Sequence, residues 1–282
     1  MKNFLLLAIF LLAASKLFAQ PIYTQADVDV CNSKFQLAVD KKLADKPINE
    51  IIIEIGKSFI GLDYEAFTLE KGEKETLVIH LTGLDCYTFL ETSFVFSRCI
   101  KKGKTTFEDF QNEVTTIRYR DGKINEYPSR LHYFSDWIYD IDKRGIGKNI
   151  TKEIGGRGYM KKIDFMTTHI DAYKQLKENP NFVEEIRNTE RKISFRKNFY
   201  IPQDEIERIE DKIQSGDLIG ITTNVEGLDI AHTGIAIRMD DGRIHFMHSP
   251  IAGKKIQITE KPLADYIKGN KKQTGIMVLR PN

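Results

Sequence analysis

The dipeptide Asp241-Gly242 most narrows what this chain can fold into. Asp-Gly is a strong tight-turn signal, because both central positions of such a turn take a positive φ that few residues accept. It sits between two strand-like runs, 232–239 and 243–248, and so makes them antiparallel neighbours. Asp217-Leu218-Ile219-Gly220-Ile221-Thr222-Thr223 reads as a strand before them, and 275–279 as a fourth after them. An antiparallel meander preceded by helices predicts an α+β domain.

The helices come from the first part of the chain. Ile48, Ile51, Ile52, Ile55 and Phe59 recur at helical spacing, and a short strand-like run follows at 76–79. Gly83 then turns the chain into a helix that starts near Cys86. Phe89, Leu90, Val95, Phe96, Cys99 and Ile100 give that helix a broad apolar face, and Lys101-Lys102-Gly103 ends it. Thr106 is placed to cap a further helix carrying Phe107, Phe110, Val114 and Ile117. The polar stretch from about 118 to 200 reads as an insertion decorating the core, with helices near 164–178 and 181–192 split by Asn179-Pro180. Pro202 opens another helix bearing Ile206, Ile209 and Ile213.

A length of 282 residues with 41% apolar side chains suits a single elaborated domain over 20–282 with a real core. Residues 1–19 read as a secretory signal peptide: Lys2, an apolar run from Phe4 to Ala14, and a small residue at Ala19 before the expected cut. Export to the periplasm follows. Cys31 lies too far beyond the apolar run to be a lipidated first residue, and the remaining chain has no transmembrane segment. Cleavage removes Lys2 and Lys16 and brings the formal charge from +2 to zero. A neutral balance gives no support for nucleic acid or a membrane surface as partner. Three cysteines are too few for a disulfide scaffold. Cys31 and Cys99 either pair with each other or are buried free thiols.

The residue with most chemistry is Cys86, in Thr82-Gly83-Leu84-Asp85-Cys86-Tyr87-Thr88. A helix N-terminus carries partial positive charge and unpaired N–H groups, so the context predicts an eased loss of the thiol proton. Asp85 is a natural N-cap, and the Cys86 N–H is a candidate oxyanion donor. His232, in Ala231-His232-Thr233-Gly234, is a candidate base. The group that orients it is His245 or His248, which alternation puts on opposite faces of one strand, and His248 is preferred across the hairpin. The same alternation weakens a metal reading of His245, His248 and Asp229. Gly155-Gly156-Arg157-Gly158 has no strong strand leading into it, so it makes a poor phosphate loop. No metal and no cofactor is expected.

Taken in order, Leu84-Asp85-Cys86, Ser215-Gly216-Asp217-Leu218, His232-Thr233-Gly234-Ile235-Ala236-Ile237 and Asp241-Gly242-Arg243 before a His resemble the NlpC/P60 cysteine peptidase superfamily. Leu81-Thr82-Gly83-Leu84-Asp85-Cys86-Tyr87-Thr88-Phe89-Leu90-Glu91 and Ser129-Arg130-Leu131-His132-Tyr133 resemble its DUF1460 branch, the N-acetylmuramoyl-L-alanine amidase-like family. The resemblance runs from about Gly61 to Arg280. It implies a papain-like α+β fold, with the cysteine helix packed on an antiparallel sheet. It implies hydrolysis of the amide between N-acetylmuramic acid and L-alanine in muropeptides, with Cys86 as nucleophile, His232 as base and His248 as the orienting residue. It places Tyr64 opposite the cysteine, and Tyr64, Asp85, Arg130 and His132 on the substrate side of the cleft. His80 stands where the branch often has Asn, and Met247-His248-Ser249-Pro250 replaces a more usual His-Ala-Ser. The alternatives are an L-Ala–γ-D-Glu endopeptidase, a non-catalytic wall-binding module and a metal amidase.

Overall fold

The structure, a computed structural model, describes residues 20–282; the segment 1–19 read as a signal peptide lies outside the described residues. Helix α1 (Gln25–Asp40) starts on a capping box between Thr24 and Asp27. Helices α2 (Ile48–Lys57), α3 (Cys86–Lys101), α4 (Phe107–Arg118) and α5 (Phe134–Lys143) complete the helical part. The middle of the chain adds strands β1 (Gly147–Asn149) and β2 (Arg157–Tyr159), then helices α6 (Phe165–Thr168), α7 (Lys174–Glu178) and α8 (Pro180–Phe195). Then come β3 (Asn198–Pro202), β4 (Leu218–Thr223), β5 (Ile230–Arg238), β6 (Ile244–His248), β7 (Gln257–Ile258), α9 (Leu263–Lys268) and β8 (Gln273–Pro281).

The sheet is antiparallel, in the order β2-β3-β8-β4-β5-β6-β7, with β1 also paired to β8. The four strands read from the sequence are all present. They are not a simple meander, because β8 returns past β6 and inserts beside β4, pairing Leu218 with Leu279. Alternation along the strands gives the sheet two packed faces. One face, with Leu218, Ile235, Ile237 and Leu279, meets the wholly buried Phe89, Leu90, Phe94 and Phe96 of α3. The other, with Ile219, Ile221, Ala236, Phe246 and Val278, meets Leu263, Ala264 and Ile267 of α9. Burial of an apolar side chain of this size stabilises by about 1.5–3 kcal/mol, so α3 is held chiefly by packing. Residues of the middle segment share a smaller cluster of their own around Tyr133, Met166 and Ile186.

Three local expectations need correction. The run 76–79 makes only one bridge, Val78 with Ile22. Its carbonyls are taken by isolated donors, the Ile22 N–H at Leu77 and the Arg118 guanidinium at Val78. The stretch 164–178 breaks into α6, a 3-10 turn and α7. There the His169 ring takes the Phe165 carbonyl, which a continuing helix would give to the His169 N–H, and that N–H turns to the Met166 carbonyl instead. After Pro202 only a 3-10 segment forms, Glu207–Lys212. Ile206 and Ile209 are three residues apart, the period that eclipses side chains in that geometry. Cys31 and Cys99 are both buried and free. Arg157 and Gly158 of the glycine-rich stretch are strand residues of β2. Among the described residues no helix is long and apolar enough to cross a membrane.

Candidate active site

Cys86 is the first residue of α3, as the local sequence predicts. Asp85 stands before it in an extended conformation, and one carboxylate oxygen accepts from the Thr88 N–H at 2.7 Å and the Thr88 hydroxyl at 2.8 Å. That hydroxyl accepts in turn from the Asp85 N–H at 2.9 Å. Asp85 lines the cleft, and one oxygen of its carboxylate makes the helix cap that the local sequence predicts. The turn is also pinned from the sheet side. Ser249, just past β6, donates its hydroxyl to the Leu84 carbonyl at 2.6 Å. The Leu84 N–H reaches the Asp63 carbonyl, and the Tyr64 N–H the Lys254 carbonyl, so Tyr64 is fixed beside the same turn. Lower on α3, the fully buried Glu91 accepts three contacts from Arg118 at 2.5–3.1 Å and the Tyr87 phenol at 3.1 Å.

The imidazoles come from the hairpin. His248 follows Met247, which pairs with Ile235, so it lies on the same sheet face as His232 and two residues along. Their rings meet, His232 Nε2 to His248 Nδ1, at 2.6 Å. Gly234 permits this closeness, because a Cβ there would fall 2.6 Å from the Met247 carbonyl oxygen and from the Phe246 ring. Phe246 in turn packs against both imidazoles. A bulge aims the pair. Ile221 pairs with His232 but Thr222 with Ile230, so Ala231 is the extra residue. It turns Ile230 toward the α3 side of the sheet and shifts His232 at the strand end. His245 lies on the opposite face, held by the Thr259 carbonyl at 2.8 Å and the Asp241 carboxylate at 2.9 Å. The described residues contain no cluster of His, Cys, Asp or Glu able to hold a metal.

One cleft of about 350 Å³ is lined by Tyr64, Cys86, Arg130, His132, His232 and Thr233 together with apolar walls. Burial dominates its electrostatics. It pushes the Cys86 thiol up to about 11, with the Asp85 charge adding and the nearby N–H groups of Thr233 and Tyr87 opposing. It pulls His232 down to about 4. His248 falls to about 3, first from burial and then from repulsion by His232. Burial, then the Cys86 and Asp85 charges, push the Tyr64 phenol up to about 12. The eased thiol expected at a helix N-terminus is therefore corrected. Desolvation outweighs the partial charge of the helix end, and the resting pair is a neutral thiol with a neutral imidazole.

Arg130 and His132 are wall residues with part of their polar groups engaged by the protein, the Arg130 Nε being left without a partner. The Arg130 guanidinium binds Glu70 at 2.9 Å, Glu75 at 3.4 Å and the Leu69 carbonyl at 3.2 Å. The terminal nitrogens are therefore held in an ion-pair network on the cleft wall. His132 donates from Nε2 to the Tyr127 carbonyl at 2.9 Å, and burial, then the Arg130 charge, lower it to about 3. His80 is occupied by Glu65 at 2.7 Å. Sequence reading passed over Thr233, Ser249, Tyr266, whose ring meets that of His248 edge-on, and the Glu91–Arg118 pair. The last had no local signal. Thr233 had one, since a residue after a strand histidine faces the other side of the sheet, toward the helix.

This geometry can support covalent hydrolysis by a sulfur nucleophile with an imidazole pair as proton carrier. A family model for N-acetylmuramoyl-L-alanine amidase-like (AmiA-like) proteins matches residues 54–276. The chain belongs to this family. It is similar to a crystal structure of an N-acetylmuramoyl-L-alanine amidase from Bacteroides uniformis, with 33% identity and a TM-score of 0.79 over 83% of this chain and 99% of that one. A Bacteroides fragilis structure bearing the provisional name of a xylanase aligns at 36% identity and a TM-score of 0.75 over 80% and 98%. A Legionella pneumophila protein of the DUF1460 family shares the fold, at 21% identity and a TM-score of 0.68 over 92% and 97%. No curated protein sequence matches the chain.

Proposed function

We propose that the protein is a peptidoglycan hydrolase that cleaves the N-acetylmuramoyl-L-alanine amide of muropeptides, using Cys86, His232 and His248. The observation that carries this reading is the 2.6 Å contact of His232 with His248, with His232 and Cys86 lining one cleft and Cys86 at a helix N-terminus. His248 occupies Nε2 of His232, which leaves Nδ1 to take the thiol proton. As that proton moves, the sulfur attacks the lactyl carbonyl carbon and the carbonyl electrons become an oxyanion. The Cys86 N–H, at the helix start, and the Tyr64 phenol, which stays protonated below pH 12, are donors of the same cleft that can hold it. The intermediate collapses, His232 returns the proton to the leaving nitrogen, and a peptide with a free L-Ala amine departs. Water, deprotonated by His232, then hydrolyses the thioester and releases the muramoyl carboxylate.

Family membership and the Bacteroides uniformis relative support the amidase over the xylanase name. Glycoside hydrolysis needs two free carboxyl groups astride a bond. In this cleft Asp85 caps α3, Glu70 pairs with Arg130, and Asp229 is held by the Ser135 and Ile230 N–H groups. The arrangement of cysteine helix, antiparallel sheet and His–His hairpin supports placing the protein among papain-like NlpC/P60 hydrolases. The leader-like 1–19 supports export to the periplasm; fractionation showing that deletion of 1–19 leaves the distribution unchanged would refute that part. The main test is incubation of the purified protein with muropeptides and mass analysis of the products. The expected products are a peptide beginning with L-Ala and a sugar bearing a free lactyl carboxylate. A sugar that keeps L-Ala indicates the endopeptidase instead, and equal turnover by Cys86→Ala removes the sulfur mechanism.

A further inference from the structure

Thr233 has a hydroxyl that the fold leaves without a use. The side chain is 4% exposed, and its Oγ1 is buried without a full hydrogen bond to any group. A buried hydroxyl left in this state costs stability, so its retention calls for an explanation. The adjacent surroundings supply one. Thr233 lines the cleft with Cys86 and His232. Alternation turns it toward α3, whose first residue is Cys86, while its neighbours Ile235 and Ile237 on the same face pack into the core beneath. The Cys86 sulfur shares the cleft wall with it and is the group whose charged form the Thr233 hydroxyl favours. A neutral thiol is a weak acceptor and gives it little, whereas a thiolate is a strong one.

We infer that the Thr233 hydroxyl is a donor reserved for the Cys86 thiolate, idle in the resting protein and engaged when the thiol proton passes to His232. It transfers no proton itself; its O–H stays intact and only its hydrogen bond strengthens as negative charge develops on sulfur. This rests on the assignment of Cys86 as nucleophile, and it supplies a group that favours the thiolate at a half-buried cleft wall. Burial and the Asp85 charge oppose the thiolate, and the Thr233 hydroxyl and backbone N–H are groups that favour it. The other titratable groups facing the sulfur are Tyr64, from the loop before α3, Tyr266, from α9, and His232. The tyrosines contribute no positive charge, and His232 contributes one only after the proton has moved.

The test needs no substrate. The rate of Cys86 alkylation by iodoacetamide, mapped by peptide mass, is measured against pH in the wild type, Thr233→Val and Thr233→Ser. Thr233→Val keeps the branched shape and removes the donor. It is expected to shift the alkylation profile up by about one pH unit, or about ten-fold in rate at fixed pH. Thr233→Ser restores a profile close to the wild type. Thr233→Val is also expected to melt no lower than the wild type, because it deletes an unsatisfied hydroxyl. A Thr233→Val profile that superimposes on the wild type overturns the inference, as does a variant that melts lower yet alkylates normally. If Thr233→Val does not fold, Thr233→Ala against Thr233→Ser makes the same comparison. Muropeptide turnover is assayed separately. Cys86-independent turnover would end the proposed mechanism while leaving the alkylation result standing.

Discussion

At the scale of single residues, the cleft trades ease of ionisation for dryness. Cys86 is lifted to about 11 and His232 lowered to about 4 by the same cause, removal of water from the charged form. Each group alone resists charge, yet one proton moving between them makes opposite charges side by side. A consequence can be read in a pH profile. His232 accepts a proton only when neutral, so kcat/KM is expected to stay level from neutral pH to about 5 and to fall to half near pH 4. An acid limb centred above pH 6 would contradict the burial argument. His248 acts through His232, so its removal should alter turnover more than binding. His248→Ala is expected to lower kcat by about 10²-fold with KM nearly unchanged, and steady-state kinetics on a defined muropeptide checks the split. His248→Asn, which keeps an acceptor for the His232 N–H, is expected to retain part of the rate.

At the scale of elements, what matters is how α3 is set against the hairpin. The buried Glu91–Arg118 pair anchors the helix to the neighbouring α4, and Ser249 ties the helix start to the end of β6. Removing one ion of a buried pair leaves the other uncompensated. Arg118→Met is expected to cost about 3–5 kcal/mol in urea unfolding, with much of the loss recovered in Glu91→Leu combined with Arg118→Met. Equal losses in the single and double variants would contradict this. These elements also show what the chain itself reveals. The start of α3 was legible, because Gly83, Asp85 and Thr88 make a local cap and the apolar face follows at helical spacing. The β5–β6 hairpin was legible from Asp241-Gly242, and with it that His248, and not His245, lies on the sheet face of His232. The bulge at Ala231 was not, since it exists only relative to β4. Nor was the insertion of β8 beside β4, which is a long-range choice with no local signal. Arg130 and His132 were legible as cleft residues. The ion pairs of Arg130 with Glu70 and Glu75 depend on a segment distant in the chain, whereas His132 is held five residues away by the Tyr127 carbonyl.

At the scale of the whole molecule, buried neutral imidazoles make folding sensitive to acid. His232 and His248 have folded-state values of about 4 and about 3, below the ordinary 6.5. The unfolded chain takes up their protons as pH falls through 6.5, and the folded chain resists until its own lower values are reached. Stability is therefore fully present above pH 6.5 and drains away below it, by about 3 kcal/mol per pH unit once two protons are at stake. His132 adds to this in the same direction, less so because it keeps part of its surface in water. His245, buried between the Asp241 carboxylate and the Thr259 carbonyl, works in the opposite direction, since those acceptors favour its charged form against the cost of burial. Urea midpoints measured between pH 7 and 4 should fall steadily; a flat series would contradict it. The proposed function turns on one event, attack by the Cys86 sulfur on an acyl carbon of the cell wall. Acid quenching during muropeptide turnover, followed by mass analysis of the Cys86 peptide, tests that event most directly. The account predicts a muramoyl group joined to Cys86 as a thioester, without L-Ala. An unmodified Cys86 peptide throughout turnover, or a thioester that retains L-Ala, would contradict it.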